Sequence, residues 1–488
     1  MRSAAICTRI GRLLLLLVVF ALAVAFPMAM SHSQPTTVNT WGKLFRSPFP
    51  GWWTGAAPTD IITTSDGGYV ATVVWNKYEG GNRHSGIIKF DGNGNLVWNR
   101  LFGGDGEAQP FRNITLQGVI QNRDGGYTAV GYLSEDTSAG RSLHVLVIRL
   151  NADGSVRWQR VYERVRDSVV GDAFSGLDGQ RVYERSDGHL IVTGRLEVGQ
   201  ASPCAGHWES GLALHLDPSG QLLNHYLFGG TGLFAGDQRT YYTNGGEYLL
   251  ITSAWTGTEY TANLQKYSAN GELIWSHFYG SKIDTKYAFV AEVSDGYLVV
   301  AERSDKRDSV LFKINSSGNV VWQRALSVYG GSSRSIPVFL AVDSDGGTLA
   351  LFSNGFSTLE RTLVKTDADG RLRWARNYKS ANVTVMRPAP GGGYIAGAAG
   401  YETLFARLDE QGMLEHACTA LPQEPANITE ASLDPLSIRE GPQRHACSNT
   451  VAGGTWRARD VDVRFDASFQ QSGVCAPTNS VYLPFIRR

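Results

Sequence analysis

Residues 91–98 read Asp-Gly-Asn-Gly-Asn-Leu-Val-Trp, which predicts a tight turn leading into a β-strand with a tryptophan near its centre. The same spacing from glycine to tryptophan returns in residues 153–158, 270–275, 317–322 and 369–374. Two further copies keep the glycine, at Gly220 and Gly412, and lack the tryptophan. From Gly94 to Gly412 the seven copies extend over 318 residues in six intervals, a mean period of 53. Self-similarity at this period is typical of an array, a solenoid or a propeller.

A second recurring element, an Asp-Gly-Gly-Tyr hairpin turn, precedes each of these copies. Its clearest forms are residues 66–69 and 124–127, and weaker forms are residues 187–190, 245–248, 295–297, 345–348 and 391–394. Within the first period we predict four strands, which we call a to d in chain order: 61–64, 69–75, 86–90 and 96–102. Four short antiparallel strands in a period near 50 predict a propeller blade.

The first residues of the repeat region favour closure into a ring. Residues 40–45 resemble residues 97–102, so they predict a d strand around Trp41 that has no a, b and c strands of its own. The seventh copy has the opposite defect, because its d position has lost the tryptophan. If the strand around Trp41 completes the last blade, no open sheet interface remains. The sequence therefore predicts an all-β fold: a seven-bladed β-propeller of four-stranded blades at 38–416, with a small C-terminal extension at 417–488.

The N-terminal segment, residues 1–31, has the pattern of a signal peptide. Arg2, Arg9 and Arg12 precede an apolar run at 13–25, and small residues follow at two possible cleavage sites, 23–25 and 29–31. An uncleaved membrane anchor is the alternative, since the apolar run can be extended to Met30. We expect cleavage, no membrane span afterwards, and a secreted protein, either extracellular or at the cell surface.

Charge and cysteine content limit the class of partner. Lysine plus arginine and aspartate plus glutamate both number 45, so no basic excess favours nucleic acid. Beyond the signal segment four cysteines remain, which an exported protein can oxidise in three connectivities: Cys204, Cys418, Cys447 and Cys475. We favour Cys447 with Cys475, and Cys204 with Cys418. With no Cys-x-x-Cys pair, and no terminal glutamate in the Asp-rich turns, we expect no metal site and no cofactor.

The tryptophans of the repeat have a structural explanation. Their fixed distance from the turn places them on strand d, where we expect them to pack between neighbouring blades. They are Trp41, Trp98, Trp158, Trp275, Trp322 and Trp374.

Loop lengths predict which face of the propeller carries function. The a–b and c–d turns are uniformly tight, whereas the b–c and d–a loops on the opposite face are long, as at 195–210 and 46–59. Binding residues tend to lie on long loops held by a rigid scaffold. The candidate ligand contacts on this long-loop face are Trp52, Trp53, His207, Trp208, Glu209, Trp255 and Tyr260. Aromatic rings beside carboxylates suit carbohydrate, although packing of the loops onto the blades would also explain them.

The Gly-x-x-x-Trp element, with Asp91, Gly94 and Trp98 as its clearest copy, resembles the tryptophan-docking repeats of pyrroloquinoline quinone (PQQ)-like propellers. Asp91 to Gly94 is one residue shorter than that pattern. The whole unit is closer to the propeller repeats of bacterial secreted proteins. Quinoprotein dehydrogenases of the related family have eight blades, a calcium-held quinone and a vicinal disulfide. Seven copies and no adjacent cysteines argue against that activity here. Sialidase boxes place tryptophan three residues after glycine, not four.

These observations favour a monomeric, non-catalytic binding or scaffold protein whose partner is a polysaccharide or a surface protein. The alternative is a polysaccharide-active glycoside hydrolase or lyase with paired carboxylates at the channel mouth. The carboxylates predicted on the long-loop face are Glu79, Asp105, Glu107, Asp172, Glu209, Asp237 and Asp284.

Overall fold

The structure is a computed structural model, and the chain divides into two compact units, Met1–Val38 and Asn39–Arg488. The residues it describes are 38–46, 57–76, 83–103, 111–137, 140–165, 175–198, 209–229, 235–255, 259–280, 282–303, 305–328, 334–355, 359–379, 382–400, 402–414, 423–425, 429–431, 438–440, 455–460, 464–465 and 470–474. The predicted signal peptide and all four candidate disulfide cysteines lie outside these ranges, so those predictions stand as predictions. Within these ranges no helix has the length and hydropathy needed to cross a bilayer.

The described residues of the repeat region form β-strands, which pair as seven antiparallel sheets of four. We call these sheets blades 1 to 7. The chain begins with β1 (Trp41–Arg46). Blade 1 contains β2 (Ala57–Thr63), β3 (Tyr69–Asn76), β4 (Arg83–Phe90) and β5 (Leu96–Phe102). Blade 2 contains β6 (Phe111–Gln121), β7 (Tyr127–Thr137), β8 (Gly140–Leu150) and β9 (Val156–Val165). Blade 3 contains β10 (Ser175–Glu184), β11 (Leu190–Val198), β12 (Glu209–Leu216) and β13 (Leu222–Phe228).

The remaining blades repeat the same order. Blade 4 contains β14 (Ala235–Tyr242), β15 (Tyr248–Trp255), β16 (Tyr260–Tyr267) and β17 (Leu273–Tyr279). Blade 5 contains β18 (Ile283–Val293), β19 (Gly296–Arg303), β20 (Ser309–Asn315) and β21 (Val320–Ser327). Blade 6 contains β22 (Ser335–Val342), β23 (Thr348–Asn354), β24 (Arg361–Thr366) and β25 (Leu372–Tyr378). Blade 7 contains β26 (Asn382–Pro388), β27 (Tyr394–Ala399) and β28 (Glu402–Leu408), and takes β1 as its fourth strand.

The pairing of β1 confirms that the N-terminal strand joins the last blade. It runs antiparallel to β28, with Trp41 opposite Arg407 and Arg46 opposite Glu402. The all-β arrangement of four-stranded antiparallel sheets is typical of propeller blades. Blades 1, 2 and 3 are also linked by single parallel bridges, which merge them into one sheet.

Each d-strand tryptophan lies against the c–d turn of the following blade. A Cβ added to Gly154 would come within 2.6 Å of the ring of Trp98, and one added to Gly370 within 2.4 Å of Trp322. Both glycines also have positive φ, at 78° and 76°, where a side chain is strained. The turn therefore needs glycine for its backbone angle and for the neighbouring ring, which explains why glycine and tryptophan recur together.

The tyrosine of the Asp-Gly-Gly-Tyr hairpin meets the same tryptophan. The ring centroids of Trp98 and Tyr127 are 5.5 Å apart in an edge-on arrangement, and those of Trp374 and Tyr394 are 5.9 Å apart. Edge-to-face contacts at this distance are favourable beyond the area they bury. The two elements recognised in the sequence thus come together at the interface between consecutive blades.

In most of the repeats, a basic residue on strand c forms hydrogen bonds with the a–b turn of the same blade. Lys89 is buried, and its Nζ donates to Asp66 and Thr64, each at 2.8 Å. Partial burial by itself would raise the pKa of Asp66. Hydrogen bonds from Lys89, Thr64 and the Gly68 amide outweigh it, so the pKa falls to about 2. The equivalent positions are Arg149, His215, Lys266, Lys313, Lys365 and Arg407.

Blade 2 allows these hydrogen bonds to be tested with a matched pair of variants. Arg149 and Arg157 both contact Asp124 Oδ2, at 2.6 and 3.1 Å, but their side chains are 6% and 53% exposed. Arg149→Met should lower the free energy of unfolding by about 1.5–3 kcal/mol, because buried hydrogen bonds to a charged group are lost. Arg157→Met should cost at most about 1 kcal/mol, because the pair is exposed. Chemical denaturation of both variants checks this, and equal losses would contradict it.

The C-terminal extension contributes short strands that pair with the outer edges of the blades. These strands, which we call the belt, are β29 (Gln423–Pro425), β30 (Thr429–Ala431), β31 (Ile438–Glu440), β32 (Thr455–Asp460), β33 (Arg464–Phe465) and β34 (Gln470–Val474). In chain order they pair antiparallel with the d strands of blades 6, 5, 4, 2, 1 and 7. The first five belt strands therefore follow the blades in descending order, opposite to the direction in which the chain builds them, with no described belt strand on blade 3, and the last belt strand pairs with β1 in blade 7.

Candidate functional site

The first strand of every blade contains a register shift, at a similar distance before its a–b turn. Its pairing with the second strand shifts register near Asp60, Gly118, Arg181, Arg239, Phe289, Phe339 and Val385 in blades 1 to 7 respectively. A bulge inserts an extra residue, bends the strand and re-aims the local side chains. Several residues at or beside these bulges line a common polar cavity.

This polar cavity has a volume of about 380 Å³ and collects charged side chains from four blades. Its ionisable residues are Asp60, Asp178, Arg181, Arg195, Arg239 and Arg387, and three glutamines also line it: Gln117, Gln180 and Gln238. With both aspartates ionised, four guanidinium groups against two carboxylates leave an excess of positive charge. Tyr241 and Phe289 add aromatic surface.

Asp60 belongs to a tightly bonded group that joins blade 1 to blade 7. Arg387 Nη2 donates to Asp60 Oδ1 at 2.7 Å, and the amide of Val119 in blade 2 donates to Oδ2 at 3.2 Å. The guanidinium of Arg387 also stacks over Phe339, 4.3 Å from the ring centroid. These contacts make Asp60 the ion-pair partner of Arg387 across the junction of the two blades.

Asp178 is the second carboxylate of the polar cavity, and it is deeply desolvated. Gln117 Nε2 donates to its Oδ1 at 2.7 Å, and Arg195 Nε lies 3.3 Å from its Oδ2. Burial raises the pKa of Asp178 to about 6, although the nearby Arg195 opposes that rise. Asp178 therefore changes charge within the range of pH in which proteins are normally handled.

Arg181 and Arg239 differ from the other two arginines of the polar cavity. The guanidinium of Arg239 lies 4.1 Å from the centroid of Phe289, and that of Arg181 lies 5.5 Å from Tyr241. Among the described side chains, neither arginine takes part in a salt bridge. Cation–π contacts with these rings are favourable, and the charges of Arg239 and Arg181 act at longer range on Asp178 and Asp60 respectively.

A larger cavity of about 850 Å³ continues from the polar cavity and shares Arg181 and Tyr241 with it. It is lined by the ends of the first strands and by a–b turns, so it opens on the tight-turn face. Neighbouring blades are tied around it: the amide of Ser65 donates to Gln121, that of Arg123 to Glu184 and that of Asn244 to Glu292, at 2.7 to 2.9 Å. The rim is thus held by contacts between blades.

The candidate contacts of the long-loop face remain predictions. Trp52, Trp53, His207 and Trp208 lie outside the described residues. Only the backbone is described for the other three: Glu209 begins β12, and Trp255 ends β15 directly opposite Tyr260 in β16. Of the predicted carboxylates, Glu79, Asp105, Glu107 and Asp172 are outside the described ranges, and the side chains of Asp237 and Asp284 are too.

Blade 2 contains a further cluster of possible ligands, Glu135, His144 and Glu163, whose donor atoms lie within 4.8 Å of one another. The sequence analysis missed it because the three residues are far apart in the chain and match no metal-binding motif. The polar cavity was also missed, although part of its lining repeats: Gln117, Gln180 and Gln238 each stand one residue before the bulge position of their blade. Only the strand pairing brings either group together.

Comparisons with known proteins identify no family for this chain. No family model and no curated protein matches the sequence. Among solved structures, the chain is similar to the dihydro-heme d1 dehydrogenase NirN in complex with DHE, at 10% identity over 85% of this chain and 79% of that one, with a TM-score of 0.41. It is similar to Sqt1 from Chaetomium thermophilum at 9% identity, over 73% and 95%, with a TM-score of 0.38. It is also similar to YCF48 from Cyanidioschyzon merolae at 11% identity, over 75% of this chain and 99% of that one, with a TM-score of 0.37. These similarities concern the fold alone.

Proposed function

We propose that this chain is an exported, non-catalytic binding protein, a closed seven-bladed propeller whose central channel holds an acidic polysaccharide. The single observation that carries the proposal is the pair Arg181 and Arg239, two guanidinium groups in a shared cavity with no salt bridge among the described side chains. Contacts between blade 7 and blade 1 support closure of the ring. Arg387 bonds to Asp60, and Thr384 Oγ1 donates to the Pro58 carbonyl at 2.6 Å.

The chemistry of the cavity favours a carboxylate-bearing sugar. Guanidinium groups bind carboxylates through paired hydrogen bonds, and they do so best where water is excluded. The glutamines suit the hydroxyl groups of a sugar ring, since each side-chain amide can both donate and accept hydrogen bonds. Cavities of about 300–1,000 Å³ are typical of small-ligand sites, and both cavities fall in that range. The residues of the long-loop face would extend contact along a longer chain.

Calorimetric titration of the mature chain with oligogalacturonate and with uncharged maltotriose tests the proposal. The acidic oligomer should bind and the uncharged one should not. Arg181→Gln and Arg239→Gln should each weaken binding by about 10- to 100-fold, because each removes a charge-assisted hydrogen bond worth about 1.5–3 kcal/mol. Arg373→Gln is the matched control, since its side chain is 63% exposed and pairs with Asp367.

Three outcomes would overturn the proposal. Equal binding of the acidic and uncharged oligomers would remove the role of charge. Unchanged affinity in both cavity variants would place the ligand elsewhere. No binding of any saccharide, with capture of a surface protein instead, would favour a protein partner.

The pH dependence of binding follows from Asp178. Because burial raises its pKa to about 6, lowering the pH from about 7.5 to about 5 neutralises this carboxyl and adds one net positive charge to the cavity. A uronate, like other carboxylates with a pKa below about 4, stays ionised over this range. Affinity should therefore rise towards the acid end, by up to about tenfold. Titrations across this range should give a flat profile for Asp178→Asn, and a wild-type affinity that falls with acid would contradict the assignment.

The raised pKa of Asp178 is also the observation that favours the alternative, a polysaccharide hydrolase or lyase. A carboxyl that keeps its proton up to a pH of about 6 could act as a general acid in mildly acidic solution. Both cavity carboxylates are nevertheless bonded to arginine, which favours binding over catalysis. Release of reducing or unsaturated ends during incubation with the acidic oligomer, abolished by Asp178→Asn, would establish the enzyme.

A further inference from the structure

We propose that Glu135, His144 and Glu163 form a binding site for a divalent transition-metal ion at the long-loop end of blade 2. The proposal is independent of the ligand of the channel. It concerns a different part of the fold, the outer three strands of one blade.

Strand register places the three side chains on one face of the sheet. His144 in β8 lies near Leu133 in β7, its direct partner, so Glu135 is its diagonal neighbour two residues along β7. On the other side, Val145 is opposite Tyr162, which brings Glu163 of β9 beside His144. Side chains in opposite and diagonal positions on the same face are within reach of each other. Three adjacent strands therefore converge on one point.

The distances suit an ion after small side-chain rotations. His144 Nε2 lies 3.6 Å from Glu135 Oε2, and His144 Nδ1 lies 3.9 Å from Glu163 Oε2. Ligand bonds of about 2.0–2.2 Å to one ion would draw these atoms slightly closer. Since the two carboxylates face different ring nitrogens, an ion on Nε2 would be bound by Glu135, and Glu163 would orient the ring through Nδ1–H. Such a carboxylate–histidine–metal arrangement is common in metal sites.

Burial makes a cation favourable at this position. His144 and Glu163 are buried, and the side chain of Glu135 is only 20% exposed. Two carboxylates with little access to water are stabilised by a nearby dication. The imidazole of His144 and the carboxylate of Glu135 form a mixed nitrogen–oxygen donor set that suits zinc, manganese or ferrous iron. The partial exposure of Glu135 provides the route by which an ion enters.

Blade 1 provides an internal control, because it has the same histidine without the carboxylates. His84 lies six residues before the end of β4, as His144 does in β8. Gly103 occupies the position of Glu163, and a Cβ added there would lie 1.8 Å from His84 Nδ1. The residue at the position of Glu135 is Lys77. The acidic partners are thus a feature of blade 2 and not of the repeat.

Zinc titration of the metal-free full-length chain by calorimetry tests the site, with Co²⁺ absorption as a second readout. We expect one equivalent to bind and Co²⁺ to give visible bands of an imidazole–carboxylate site. Losing a residue that only hydrogen-bonds to a metal ligand typically weakens metal binding about 10- to 100-fold. His144→Ala removes a ligand itself, so it should weaken zinc binding by more than this. His84→Ala is the matched control and should leave binding unchanged. Glu135→Gln removes a charge with little change in shape, and it should also weaken binding, so the test survives if His144→Ala does not fold.

Two results would overturn the proposal. If neither zinc nor cobalt binds, His144 serves as an ion-pair partner of both carboxylates and not as a metal ligand. If zinc binds equally to wild type, to a folded His144→Ala chain and to Glu135→Gln, the ion lies at another site.

Discussion

Replacing Trp41 with alanine is expected to lower the free energy of unfolding by about 3–5 kcal/mol, the usual loss for a buried tryptophan. Trp41 is 9% exposed, its Nε1–H donates to the Gly92 carbonyl at 3.0 Å, and its ring meets Tyr69 edge-on at 5.9 Å. Because β1 belongs to blade 7 and these partners belong to blade 1, the variant weakens the junction that closes the ring. Val97→Ala, at an exposed position on β5, should change stability by less than about 0.5 kcal/mol.

A double-mutant cycle with Gly94 tests whether the ring of Trp41 lies on the first turn. Gly94 has φ of 77°, and an added Cβ would come within 2.6 Å of the Trp41 ring. Gly94→Ala therefore combines backbone strain with a steric overlap, each about 1–3 kcal/mol and together about 2–6 kcal/mol. In the Trp41→Ala chain the overlap disappears and only the strain remains, so the two losses should not add.

Gly67 allows the backbone strain to be measured without the steric overlap. Gly67 has nearly the same φ, 78°, but no atom lies within 4 Å of its added Cβ. Gly67→Ala should then show the strain alone, and its cost should match that of Gly94→Ala measured without Trp41. Denaturation midpoints of these variants give the stability losses to be compared. Additive losses for Trp41 and Gly94 would contradict the docking of blade 7 on blade 1.

The blades could be predicted from the sequence because their contacts are repeated. Gly94, Trp98 and Tyr69 each belong to a pattern that returns about every 53 residues, and the same physical contact recurs at each interface. The strand bounds show the limit of that approach. The predicted d strand at 96–102 agrees with β5, whereas β2 begins four residues earlier than predicted, because the bulge at its start has no local pattern.

One repeated signal was available and was not used. A lysine, arginine or histidine stands two residues before each c–d turn, as Lys89 stands before Asp91 and Lys365 before Asp367. This pattern would have predicted the buried hydrogen bonds between strand c and the a–b turn. The polar cavity is different, since Asp178, Arg239 and Arg387 occupy non-equivalent positions in three blades. Gln117, Gln180 and Gln238 do recur at one position in three blades, but which ionisable residues face the same cavity depends on how the blades are arranged.

Removing the belt is the other change expected to have a large effect. A chain that ends at Pro422 lacks all six belt strands, so the d strands of six blades lose their outer backbone partners. Even at about 0.5–1.5 kcal/mol for each hydrogen bond, less the entropy regained by the tail, the loss should be on the order of 5 kcal/mol. At about 2–4 °C for each kcal/mol in domains of about 150–250 residues, the melting temperature should fall by about 10 °C or more. Exposed edges should also promote aggregation.

A chain that ends at Val474 is the matched control, because it keeps every described belt strand and removes only residues 475–488. Both truncations should be compared under reducing conditions, since the control also lacks Cys475. Adding residues 415–488 as a separate fragment should restore the melting temperature of the shorter chain, since the fragment can pair with the free edges. A shorter chain that melts with the full chain and stays soluble would mean that these pairings contribute nothing to stability. Failure of the fragment to restore it would mean that the belt acts only when covalently joined to blade 7.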